Sequence, residues 1–240
     1  MRTKTLLIAA AALAVGVISS EAQIYSQNVV GYVNTPLTNG VTAIIAPSLD
    51  LDGTGTNNTI ATVVGTNGVP LNTAVYVFNG GNFETLTFAK SGHGTGTVTN
   101  WTLGITVTNN YPLNPGEGFF IAPAGNFTNL QVGTVLQGAI TNQYVPAVGG
   151  VSALVASKIP LFGGVSTMLG YHATLGDSIY VFNNGAYTTY SFAKSGHGTS
   201  LATNWMNGLT ISEPQFQVGQ GFWLVPFASG TTWGTNFIVQ

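Results

Sequence analysis

Cysteine is absent from this chain and charge nearly so: of 240 residues, five are Lys or Arg and seven are Asp or Glu. The charged fraction is 5%, against roughly 25% in an ordinary soluble domain. With five basic residues and a net charge of −2, the chain has no electrostatic footprint for a phosphate backbone, which excludes nucleic acid as a partner. Polybasic attachment to a membrane surface is excluded on the same ground. Without cysteine no disulfide staples the fold, so packing and sheet hydrogen bonds must hold it. The 45% of hydrophobic residues come with 32 Gly and 10 Pro, which is not the composition of a helical membrane bundle. Aromatics at 11% are enough to bury a core and argue against disorder.

Long apolar runs are missing too, apart from one. Leu6 to Ile18 follows the basic start Met1-Arg2-Thr3-Lys4 and stops at Ser19-Ser20. It is shorter than the about 20 apolar residues that span a bilayer. A basic start, an apolar stretch and the small-x-small site Ser20-Glu21-Ala22 form the pattern of a secretory signal, residues 1–22, cleaved before Gln23. The expectation is a protein that is secreted, periplasmic or extracellular, with no transmembrane segment in the mature chain. Its basic residues are then Lys90, Lys158 and Lys194 alone.

The chain is a duplication. Val75 to Trp101 aligns with Ile179 to Trp205 at an offset of 104, with 17 of 27 positions identical. Phe88-Ala89-Lys90-Ser91-Gly92-His93-Gly94-Thr95 recurs unchanged as Phe192-Ala193-Lys194-Ser195-Gly196-His197-Gly198-Thr199. Downstream, Gly116-Glu117-Gly118-Phe119-Phe120 corresponds to Gly219-Gln220-Gly221-Phe222-Trp223, and upstream Gly40 to Ala46 corresponds to Gly150 to Ala156. The copies occupy residues 23–136 and 137–240.

Short runs of β-branched and aromatic residues alternate with turn dipeptides throughout, the pattern of an all-β chain. Asn-Gly occurs at Asn39-Gly40, Asn67-Gly68, Asn79-Gly80, Asn184-Gly185 and Asn207-Gly208, each suited to a type I′ hairpin. Val75-Tyr76-Val77-Phe78 is apolar on both faces and predicts a central strand buried on two sides. Helical turns are expected only at 58–64 and at its counterpart 165–169. The predicted fold is two tandem homologous β-sandwich or barrel-like modules after an N-terminal signal helix.

Three segments carry a resemblance: Gln27-Asn28-Val29-Val30-Gly31-Tyr32-Val33-Asn34, Asn114-Pro115-Gly116-Glu117-Gly118-Phe119-Phe120 and Val135-Leu136-Gln137-Gly138. With them the chain resembles a family of secreted proteins of verrucomicrobial-type bacteria. That resemblance implies export and a two-copy β architecture, and it brings no activity with it. More loosely, the scheme is similar to bacterial extracellular modules that close on a Gly-x-Gly-aromatic-aromatic strand and accompany surface and polysaccharide-degrading proteins. This chain departs from those in lacking an early strand Trp.

Candidate chemistry is sparse. His93 and His197 sit in identical Ser-Gly-His-Gly-Thr loops; each is a possible ligand or base, but neither loop supplies the further ligands of a metal shell, and a glycine-flanked turn is the plainer reading. Asp50 and Asp52 alternate on a loop peculiar to the first copy, a partial set of hard oxygen ligands for Ca²⁺ that lacks the third early ligand and closing Glu of an EF-hand. The plainer reading there is a solvated polar insertion. No cofactor other than Ca²⁺ is suggested. Glu117 aligns with Gln220, which cannot ionise, so a catalytic role shared by both copies fails. Nucleophile elbow, zinc-protease and phosphate-loop motifs are all missing, and the chain reads as non-enzymatic. Trp101, Trp205, Tyr187 and Tyr190, with His93 and His197, remain as candidates for stacking and bonding a sugar, against the commoner use of large aromatics in cores.

The way the copies join suggests a different role. The segment from Val135 to Tyr144 both closes the first copy and opens the second, whereas Gln27–Val33 and Phe237–Gln240 are separate ends of the chain. Ends that meet in neighbouring molecules would imitate the covalent junction and build a head-to-tail array. The sequence therefore points first to a structural or surface-assembly protein that self-associates, and second to a module that binds cell-surface glycans.

Overall fold

The computed structural model describes residues 29–51, 53–54, 57–91, 98–196 and 202–239. The signal segment, Asp52, His93 and His197 lie outside the described residues.

The first copy comprises β1 (Val30–Leu37), β2 (Ala43–Ile45), β3 (Ala74–Asn79), β4 (Asn82–Ser91), β5 (Val98–Leu103), β6 (Thr106–Val107), β7 (Phe119–Ala122) and β8 (Phe127–Thr134). The second comprises β9 (Gly138–Thr141), β10 (Ala153–Val155), β11 (Gly163–Gly164), β12 (Ser178–Asn183), β13 (Ala186–Ser195), β14 (Ala202–Asn207), β15 (Thr210–Ile211), β16 (Gln215–Phe216), β17 (Phe222–Val225) and β18 (Gly234–Phe237). Each copy builds one six-stranded antiparallel sheet, in the order β2-β7-β3-β4-β5-β6 and in the matching order β10-β17-β12-β13-β14-β15. The fold is all-β and duplicated, as its sequence predicts.

Strand alternation explains the layering, because successive side chains point to opposite faces. In β3, Val75 and Val77 enter a core with Leu86, Phe88, Phe119, Ile121 and Trp101. In β12, Ile179 and Val181 do the same with Trp205, Phe222 and Leu224. The first core is covered by a single helical turn, Ile60–Val63, which buries Ile60 and Val63. Thr59 caps it: the Thr62 N–H donates to Thr59 Oγ1 at 3.3 Å, while the Thr59 N–H donates to Thr62 Oγ1 at 2.9 Å. The second helical turn expected at 165–169 is a plain turn, although Val165 and Leu169 fill the same kind of position in the second core.

The central hairpins turn at equivalent positions in the two copies, Gly80-Gly81 and Asn184-Gly185. In the second copy Asn184 and Gly185 form the turn with φ of 48° and 85°, as a type I′ turn requires. In the first copy Asn79 pairs with Asn82, so the turn falls on Gly80 and Gly81, not on Asn79-Gly80. The equivalent Asn183 pairs with Ala186 in the same way, so in both copies this asparagine closes the ladder and the next two residues make the turn.

The opposite faces of the two sheets meet each other. Phe78 lies against Trp223 with ring centroids 4.8 Å apart, and Phe120 against Phe182 at 5.4 Å. These two contacts are equivalent under the duplication, and Phe120 meets Trp223 between them at 6.4 Å. The backbone exchange is equally reciprocal. Ile45 bridges to Gln220 and Val155 bridges to Glu117. Around the first bridge, Ala46 N donates to Gly219 O at 2.9 Å and Gly221 N to Ile44 O at 3.1 Å; around the second, Ala156 N donates to Gly116 O and Gly118 N to Leu154 O, both at 3.1 Å. Each copy thus covers the inner sheet edge of the other, in the manner of an isologous dimer fused into one chain. Such close approach needs glycine: a Cβ on Gly118 would lie 3.0 Å from Leu154 C and Val155 N, and one on Gly221 would lie 2.5 Å from Ile44 Cγ2.

The first and last described strands are engaged within the molecule. β1 pairs with β8 over its whole length, and β18 pairs with β9. Val29 and Phe237 pack on one small cluster around Val33, Leu49 and Val135, and the Val239 N–H donates to Gln137 Oε1 at 3.1 Å. Each of these end strands is paired on one edge within the molecule, in a two-stranded sheet.

Candidate functional site

Trp101 and Trp205 do not present a platform for sugars. Both are buried; Trp101 Nε1 donates to Gly65 O at 2.8 Å and Trp205 Nε1 to Ser166 Oγ at 3.0 Å. Each ring packs on its copy's equivalent phenylalanine, Phe88 or Phe192, with centroids 5.3 Å apart. Burial follows from their place opposite those residues on the core face of the sheet. Tyr190 packs against the second core. Tyr187 is exposed; its hydroxyl accepts a hydrogen bond from Trp223 Nε1 at 3.3 Å, and its ring rests on Phe182.

Asp50 is buried, while Gly53 and Thr54 of the same loop are exposed. Its carboxylate accepts the Gly53 N–H at 3.0 Å, and its backbone pairs with Thr134. Among the described residues no group of three or more His, Cys, Asp or Glu comes together.

Two clefts open where the copies cross, and they are related by the duplication. The larger, about 620 Å³, is bounded by Val41–Ile45 of the first copy and by Phe182, Asn183 and Gln220 of the second. The smaller, about 480 Å³, is bounded by the corresponding Val151–Leu154 of the second copy and by Phe78, Asn79 and Glu117 of the first. Both volumes lie in the range of about 300–1,000 Å³ usual for small-molecule sites.

The chemistry of the two clefts has diverged. In the smaller one the Glu117 carboxyl accepts the Asn114 N–H at 3.0 Å, and burial pushes its pKa up from the ordinary 4.5. Tyr144 and Tyr111 line the same cleft. Burial raises the pKa of both, with the Glu117 charge adding to the effect, and the Tyr111 hydroxyl donates to Glu84. Beside them Lys158 donates to Gln143, and burial lowers the lysine's pKa. In the larger cleft Gln220 stands for Glu117 and keeps its structural role, Oε1 accepting the Gln217 N–H at 3.0 Å. Among the described residues no Asp, Glu, Lys, Arg or His lines that cleft.

Neither cleft was visible in the sequence as a site. Tyr32 and Asn34 share one exposed face of β1 by simple alternation, and that was the available signal. Phe162, Asn183 and Gln217 join them only through the crossing of the copies.

No helix among the described residues is long and apolar enough to cross a membrane. Comparison with protein-family models, curated proteins and solved structures finds no match. What fold and site define is a duplicated all-β protein whose copies interlock and enclose two chemically different clefts.

Proposed function

We propose that this is a secreted, non-enzymatic structural protein that assembles with copies of itself at or outside the cell surface. The observation that carries this reading is the contrast between its sheet edges. The inner edges, β2 and β10, are covered by the opposite copy. Among the described residues the outer edges, β6 and β15, have no strand beyond them. At their hairpin tips stand Ile105 and Leu209, 101% and 99% exposed, with Val107 and Ile211 exposed beside them. Soluble sheets usually guard such edges with charge or proline. These have neither, and only their shortness limits pairing.

Burying a side chain of this size against another copy is worth about 1.5–3 kcal/mol. Because the chain carries two equivalent outer edges, contact between edges can repeat from molecule to molecule without closing. Export, read from residues 1–22, places such assembly outside the cytoplasm, and the scarcity of charge leaves little electrostatic repulsion to oppose it. The test is light scattering over a concentration series with negative-stain microscopy. Ordered polymers that disappear in the double variant Ile105→Lys, Leu209→Lys support the reading. A protein that stays monomeric at every concentration overturns it.

A further inference from the structure

We infer that the larger cleft binds an uncharged saccharide. Tyr32 and Phe162 border it while remaining 72% and 66% exposed, an arrangement that leaves two aromatic side chains free to cover the apolar face of a pyranose. Asn34, Asn183 and Gln217 border the same space, and all three are exposed. Their amides offer donors and acceptors together, which is what a ring of hydroxyls requires. A ligand with formal charge finds no counter-charge on these walls, whereas a neutral polyol leaves none unmatched.

The duplicated cleft serves as an internal comparison. Its walls correspond in part, Asn34 being answered by Tyr144 and Gln220 by Glu117, but Tyr32 is answered by the buried Asn142, which does not border it, and its titratable groups are already engaged. With Gln220 closing its turn as Glu117 does in the other copy, the larger cleft keeps the architecture and is a neutral, aromatic-flanked opening. Its volume of about 620 Å³ lies within the range of small-molecule sites. This inference does not depend on self-assembly, since the outer edges take no part in the cleft.

The experiment is calorimetric titration of the purified protein with neutral hexasaccharides of β-1,4-glucan, β-1,3-glucan, β-1,4-xylan, β-1,4-mannan and α-1,4-glucan, and with oligogalacturonate as the charged comparison. The same titrations on the Ile105→Lys, Leu209→Lys protein remove any contribution from assembly. At least one neutral oligosaccharide is expected to bind and oligogalacturonate is not. Tyr32→Ala with Phe162→Ala should weaken binding at least tenfold, and Asn34→Ala with Gln217→Ala should weaken it independently. Glu117→Gln in the other cleft should leave it unchanged. Thermal melts confirm that these exposed substitutions leave the fold intact. Absence of binding by every neutral hexasaccharide, preference for the charged one, or affinity indifferent to both double variants overturns the inference.

Discussion

Phe78 and Trp223 come from different copies of the repeat and meet edge to face, with ring centroids 4.8 Å apart and planes at 76°. Their duplicates, Phe182 and Phe120, meet at 83°. The equivalence of the two contacts makes the copies halves of one folded unit rather than independent beads. Aromatic pairs of this geometry contribute about 0.5–1.5 kcal/mol beyond their buried area. A double-mutant cycle on Phe78→Ala and Trp223→Ala, followed by urea unfolding, should give a coupling energy in that range. A cycle between Phe78→Ala and Tyr187→Ala, which form no direct ring contact, should couple less strongly. Unfolding should be a single transition in the parent protein, since separation of the copies exposes both aromatic faces at once.

Glu117 provides a pH signature. Burial raises the pKa of its carboxyl above the ordinary 4.5, so the folded state holds this proton more tightly than the unfolded state. Between the unfolded pKa and the raised folded one, the folded protein binds more protons, and its stability falls as pH rises through that window. The stabilising contribution is fully present below the unfolded value and is lost above the folded one. Glu117→Gln, which installs the residue that the second copy uses at Gln220, should remove this slope. Subtracting denaturation midpoints of the variant from those of the parent between pH 4 and pH 8 isolates Glu117 from the other carboxyls. A difference that does not change with pH would contradict the assignment.

Asp177 shows how one copy has added polar anchoring to the common fold. It is fully buried and accepts hydrogen bonds from Thr174 N at 2.7 Å, Thr174 Oγ1 at 2.9 Å, Tyr171 Oη at 2.8 Å and Phe227 N at 2.8 Å. The equivalent residue in the first copy is Thr73, whose hydroxyl accepts Ala124 N at 3.3 Å. Asp177→Ala leaves several buried donors unpaired, each costing about 1–3 kcal/mol. The variant should lose about 3 kcal/mol or more in urea denaturation. Asp177→Thr, which keeps an acceptor of the first-copy kind, should lose less than Asp177→Ala.

Much of this was legible along the chain. The repeat is written in near-identical segments, and the strands follow from β-branched and aromatic runs between turn residues, which are local properties of backbone and side chain. Val75-Tyr76-Val77-Phe78 even announced that both faces of β3 would be covered. The single helical turn at Ile60–Val63 was likewise foreshadowed. The candidate site was read less well. Trp101 and Trp205 were reasonable candidates by residue type, but their register opposite Phe88 and Phe192 turns them into the cores. Asp50 opens a loop rich in polar residues and glycine, yet pairing with Thr134 holds it inward beside the buried Leu49. The residues that border the larger cleft, Tyr32, Phe162 and Asn183, lie far apart in sequence, and no local pattern links them.

The sequence by itself determined an all-β chain in two copies, poor in charge and free of disulfides, because composition, periodicity and self-similarity need no partner to be read. The tertiary structure decided what covers each apolar face and each sheet edge. A strand's alternation says which side chains point together, but not which surface meets them. Its backbone donors must be satisfied without specifying by what. Here the Gly116–Gly118 and Gly219–Gly221 turns reach across to β10 and β2, close the inner edges and leave the outer ones bare. That choice, made by long-range packing, turned a duplicated sequence into an interlocked molecule with two clefts and two open ends.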